Sequence, residues 1–195
     1  MGLITGAGFC PLLDNVKKKL AIEEVRETER VLGIIKEETE RTLNDWRTYR
    51  QIEASIEQTG WIFSYTTLLN GQPLLRVAVF HPSLSRERHV IYGEGDPAII
   101  FPVELGSETT KVLRDSVLNR IRIPKDSTEL QASIEQNSAV VATLISALEP
   151  QCPSISKRMQ LGIHRGGQTG ISDIIDIPRD GTFSLSIKMT GPSQE

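Results

Sequence analysis

Hydrophobic and polar positions change rhythm once along this chain, near Thr59-Gly60. Before that point apolar residues recur every three or four positions in a charge-dense background, the pattern of an amphipathic helix. After it they alternate, with Trp61, Phe63 and Tyr65 set against Ile62, Ser64 and Thr66, the pattern of a half-buried strand. Pro11 reads as a stop, and Asp14 or Asn15 as the N-cap of a helix running to about Gln58. Gly33 is the one glycine in that stretch, which has no proline. Opposite charges three or four apart, such as Glu23–Arg26 and Glu37–Arg41, each add roughly 0.2–0.5 kcal/mol to an exposed helix.

A heptad-like seam runs along this helix through Val25, Leu32, Ile35, Trp46, Tyr49 and Ile56, interrupted by Thr28, Thr39, Thr42 and Glu53. A helix of about 44 residues spans about 66 Å. That exceeds the width of the domain that follows, so either the rod bends at Gly33 or another molecule covers part of the stripe. The six apolar seam residues are therefore the predicted self-association surface.

The second rhythm predicts a small sheet. Asn70-Gly71 is a hairpin signal, with a return strand from Leu74 to Phe80. Residues 88–92 and 98–103 read as two further strands around a Gly93–Pro97 turn, with Pro102 marking an edge. Ser107 caps a helix predicted to about Ile121, with Leu113, Val117 and Ile121 inward. Asp126 and Glu129 make a capping-box variant ahead of a helix from Ser127 to Leu148. Its predicted inner side is Ile134, Val141, Leu144, Ile145 and Leu148. Alternation returns at Met159, Leu161 and Ile163, and again at Phe183, Leu185, Ile187 and Met189 after Asp180-Gly181. The reading is an α+β protein: a flexible lead over 1–13, a long N-terminal helical assembly arm over 14–58, and a mostly antiparallel sheet with two inserted helices over 59–195.

Composition narrows the functional classes. Aromatics are 5% of the 195 residues, so the core rests on Ile, Leu and Val. The net charge of −3 means that a nucleic-acid role would need a local basic patch. Cys10 and Cys152 form no C-x-x-C pair and read as free thiols. With no secretory leader and no apolar run near 20 residues, the expected location is cytoplasmic.

Three sets of residues carry candidate chemistry. Gly2 fits the first requirement of N-myristoylation, although Gly6 stands where the stricter pattern has Ser or Thr. Cys10 offers a second acylation point and Lys17-Lys18-Lys19 a contact with an anionic membrane surface, which would make the protein membrane-peripheral and matrix-like. Lys157, Arg158, His164 and Arg165, followed by Gly166-Gly167, form a basic strand and turn suited to RNA or another anion. Asp173, Asp176 and Asp180 follow no metal-loop spacing, and His81, His89 and His164 are scattered, so no metal or cofactor is expected. No P-loop, nucleophile elbow or dinucleotide fingerprint is present. The function expected is a non-enzymatic, self-associating structural or adaptor protein. The alternatives are a dimeric RNA-binding protein acting through the basic strand, and an enzyme without a recognisable motif.

Overall fold

The structure, a computed structural model, describes residues 2–190 except 24, 26, 83, 94–95, 97, 127, 153–154, 156, 166–167 and 178–186, with backbone only at 103 and 188–190. The chain divides into two compact units, Met1–Ile100 with His164–Gly167, and Phe101–Ile163 with Gln168–Glu195. The class is α+β: three helices and a four-stranded antiparallel sheet in the first hundred residues, then two further helices and short strands.

In the first unit the helical stretch is three helices rather than one: α1 (Cys10–Ile22), α2 (Thr28–Asp45) and α3 (Ile52–Glu57). Pro11, read from sequence as a stop, lies in the first turn of α1, where its missing N–H costs nothing. Gly33 is an ordinary interior residue of α2, and the chain turns instead at Glu23, whose backbone is extended. No proline or glycine marks that break. It follows from burial: Leu12, Leu13 and Val16 of α1 and Val31, Leu32, Ile34 and Ile35 of α2 all enter one core, which a straight rod cannot allow. Lys19, Arg30, Glu23 and Glu37 form an ion-pair chain along the outer side of this helical pair. Glu38, only 4% exposed, meets Lys19 Nζ at 3.4 Å.

The lead expected to be flexible contains a strand, β1 (Ile4–Ala7). It opens an antiparallel sheet ordered β1-β2-β3-β4, with β2 (Gly60–Leu69), β3 (Gln72–Phe80) and β4 (Val90–Tyr92). The Asn70-Gly71 turn forms as predicted, with both residues at positive φ (52° and 80°) and Leu69 opposite Gln72. Trp61 and Phe63, each 1% exposed, point from β2 into the helical core together with Ala78 and Phe80 of β3. The strand expected over 98–103 does not form: residues 98–102 are irregular, and a short 3-10 turn (Val103–Leu105) follows.

The second unit holds α4 (Gly106–Leu118) and α5 (Leu130–Leu148). Asp126 Oδ1 accepts from the Thr128 and Glu129 amides, but in the turn before the helix; α5 starts at Leu130 rather than Ser127, and its N-cap Glu129 makes no side-chain cap bond. Of the predicted inner residues of α5, Leu148 alone is fully buried; Ile134, Val141, Leu144 and Ile145 are half-buried, and Ser133, Ser138, Val140 and Ala142 take the covered positions. Short strands β5 (Arg158–Met159) and β8 (Ile175–Asp176) pair with each other, and β7 (Gln168–Ser172) pairs with β9 (Ile187–Thr190); β6 (Gly162–Arg165) has its last two residues, His164 and Arg165, in the first unit. The Asp180-Gly181 turn, Phe183 and Leu185 lie outside the described residues.

Candidate interaction surfaces

The predicted self-association seam is largely consumed by the protein's own core. Leu32, Ile35 and Ile56 are 9%, 2% and 8% exposed, and Val25 packs half-buried against the same cluster. The premise of an uncovered rod therefore fails. Trp46 and Tyr49 alone among the six stay open, each 42% exposed.

These two rings belong to a corner that starts at Gly8. At φ 131°, in van der Waals conflict with Thr59 for any Cβ, Gly8 turns the chain out of β1. The Phe9 amide then donates to Thr59 Oγ1 at 2.9 Å, and Thr59 donates to the Ser55 carbonyl at 2.9 Å. This brings Phe9 to the turn between α2 and α3. Its ring meets Trp46 edge-on at 5.3 Å and lies nearly parallel to Tyr49 at 6.3 Å; Trp46 and Tyr49 are 6.4 Å apart, close to perpendicular. Arg47 and Arg50, interleaved with the rings, are exposed and make no ion pair among the described residues. Sequence reasoning placed Trp46 and Tyr49 on a helical seam and missed Phe9. The run Trp46-Arg47-Thr48-Tyr49-Arg50 was the available signal.

A second open surface is the far end of the β2–β3 hairpin. β1 covers β2 only as far as Phe63, and β4 covers β3 only from Val77, so residues 66–75 form a two-stranded ribbon with no third strand among the described residues. Leu68, Leu69 and Leu75 are 71%, 54% and 42% exposed. By the two-residue period, Leu68 and Leu75 share one face, and Leu69 and Leu74 the other. No charged side chain lies between Tyr65 and Arg76.

The lipidation signals are not gathered. The Gly2 amide donates to the Ser64 carbonyl at 3.0 Å, and its α-carbon rests against the His164 ring. Cys10 follows the other end of β1 and is exposed. Lys17 and Lys18 are exposed, whereas Lys19 is engaged by Glu37 and Glu38.

The basic strand is divided too. Lys157 pairs with Glu149 at 3.2 Å, and Arg158 with Asp176 across the β5–β8 pair at 3.0 Å. His164 and Arg165 group with the first unit instead. There the His164 Nδ1 shares a 2.9 Å hydrogen bond with Ser64 Oγ, which also accepts from the Leu3 amide at 3.0 Å. Burial holds His164 below its ordinary pKa. This Ser–His pair has no carboxylate on the imidazole among the described residues, so the serine hydroxyl acts as a tie between β1, β2 and residue 164. Burial also lowers His81, against a hydrogen bond that its ring donates to the Gln58 backbone carbonyl and that raises it. His89 packs edge-on to Phe63 and Tyr65 at 5.5 and 6.1 Å.

In the second unit an open cleft of about 600 Å³ runs beside α5, lined by Arg120, Arg122, Gln136, Ala139, Val140 and Thr143. Its polar groups mostly serve the backbone. Asn137 clasps Arg122, accepting from its amide at 2.7 Å and donating to its carbonyl at 2.9 Å, and Gln136 donates to the Arg120 carbonyl. Among the described residues no three His, Cys, Asp or Glu side chains converge as a metal site, and no helix is long and apolar enough to cross a membrane. The chain matches no family model, and neither a curated protein nor a solved structure shows significant similarity to it.

Proposed function

We propose that the chain is a non-enzymatic, self-associating structural or adaptor protein, and that two copies meet through the β2–β3 ribbon rather than through the helical stretch. One observation carries this reading: leucines stand exposed on both faces of a ribbon whose β2 edge carries no guard among the described residues. An open strand edge is a template for another strand, and proteins usually defend it with charge, proline or cover. Here Pro73 removes a donor from β3, while β2 has no such defence over Thr66–Leu69. Antiparallel pairing of two β2 edges about a twofold axis would give a four-stranded ribbon with leucines clustered on each face. Full burial of an exposed leucine contributes about 1.5–3 kcal/mol, and these side chains, 42–71% exposed, have only part of that to gain. The free thiols, Cys10 exposed and Cys152 buried, suit a reducing compartment, so a cytoplasmic setting is part of this reading.

Sedimentation of the full chain at tens of micromolar tests it. The expected result is a dimer that Leu68→Lys converts to a monomer with unchanged far-ultraviolet circular dichroism. A wild-type monomer across that range, or a dimer indifferent to Leu68→Lys, overturns it.

A further inference from the structure

Trp46, Arg47, Tyr49 and Arg50 occupy the turn between α2 and α3, with Phe9 beneath the two rings. Over two fifths of Trp46 and of Tyr49 is open to water, and the nearby Asp45 carboxylate is engaged by Arg41 at 3.8 Å. Two exposed arginines, with no ion pair among the described residues, thus neighbour two exposed aromatic residues in sequence, on a molecule whose total charge is −3.

We propose that this corner binds single-stranded nucleic acid, with bases stacking on Trp46 and Tyr49 and phosphates lying on Arg47 and Arg50. This goes beyond the self-association reading and does not rest on it. Aromatic rings accept any base by its π-face, and arginines beside them track the backbone. The near-perpendicular setting of the rings suits bases splayed apart in a single strand rather than stacked in a duplex. Phe9 holds both rings in place, so little ordering remains to be done on binding. An acidic peptide would answer the charge and leave the ring faces without a planar partner; a nucleic acid answers both. The site also differs from the basic strand, where Lys157 and Arg158 are already matched by carboxylates.

The chain carries its own reporter. It has two tryptophans, and Trp61 is 1% exposed, so quenching by a stacked base reads Trp46. The full chain is titrated with oligouridylate and oligothymidylate of about twelve nucleotides, a length within single-strand site sizes. Saturable quenching is expected, with log K falling against log salt at a slope of about −1.4, since each phosphate contact on a single strand contributes about −0.7. Arg47→Gln with Arg50→Gln should flatten that slope toward zero. Tyr49→Leu should weaken binding about tenfold, the loss of one stacked base. Trp46→Phe should keep most of the affinity by anisotropy while abolishing the quench. Dextran sulfate, a polyanion without bases, should cause no quench. Binding of either oligomer supports the site, and the tighter one tells RNA from DNA. Absence of quenching at low salt, quenching indifferent to the arginine pair, or a Trp46 signal that changes with protein concentration alone would overturn the assignment, the last by placing a second copy there.

Discussion

The two units bury their apolar residues in different ways. The first brings three helices and a four-stranded sheet onto one cluster built around Trp61, Phe63, Ile34, Ile35 and Val16, each nearly sealed. The second has a long apolar helix, α5, and short strand pairs, and among its described residues the cluster is Ala142, Met159 and Ile177 with Val141 and Ile145 beside them. The lesson is about leverage. In the first unit many elements depend on the same few large side chains, so one truncation is felt by all of them. In the second, the described residues add polar clasps such as Asn137 on Arg122 to a smaller apolar cluster.

The sharpest way to break this contrast is a matched pair of truncations. Trp61→Ala removes a ring sealed between β2 and the helices and is expected to cost about 3–5 kcal/mol. Met159→Ala removes a buried side chain from the smaller described cluster and should cost about 2 kcal/mol, the low end for its type. Urea unfolding of both variants decides the matter. Equal losses would show that the small cluster of the second unit is as consequential as the large one.

A middle-sized effect separates apolar packing from polar clasping. Asn137 satisfies both backbone groups of Arg122 where the chain leaves α4 and approaches α5. Asn137→Ala leaves that amide and carbonyl without their partner, at a cost of about 1–2 kcal/mol. Asn137→Asp keeps the acceptor and loses the donor, so it should recover about half. If Asn137→Ala is neutral, water replaces the clasp and the second unit owes it nothing.

What the sequence showed of this structure follows the same division between local and distant causes. The Asn70-Gly71 hairpin and the Asp126 turn were legible because their chemistry is complete within a few residues, although that turn ends before α5 begins at Leu130. The break between α1 and α2 was not, since nothing in residues 23–27 forbids a helix; the shared burial of Val16 and Ile35 decides it. The same folding-back turned Leu32, Ile35 and Ile56 from predicted contact residues into core. Pro11 has two meanings, stop or first-turn residue, and only the following helix distinguishes them. Arg158 looked free until strand register set Asp176 opposite it. Phe9 joins Trp46 and Tyr49 across a large sequence gap, through a glycine turn and a threonine hydroxyl that no periodicity reveals.

The smallest expected effect uses acid to separate the units. All three histidines, at 81, 89 and 164, group with the first unit. Burial holds His81 and His164 below the ordinary value of 6.5, so the fold favours their neutral forms. As pH falls below about 6.5 the unfolded chain takes up protons that the fold still refuses, and stability declines toward the lowered folded pKa values. Above that range the contribution is fully present. In the second unit the Asp126 carboxyl is held below its ordinary 3.8 by hydrogen bonds from Thr128, so its cap is lost only as pH falls through that lower range. Between about pH 7.5 and pH 5.5 the unfolding midpoint should therefore drop modestly, and His81→Asn with His164→Asn should flatten the dependence. Hydrogen exchange corrected for intrinsic rates should place the loss in β1 and β2, where Ser64 ties residue 164 to Leu3, while α5 keeps its protection. A midpoint that rises with acid, or a loss centred on α5, would remove the electrostatic half of the distinction between the units.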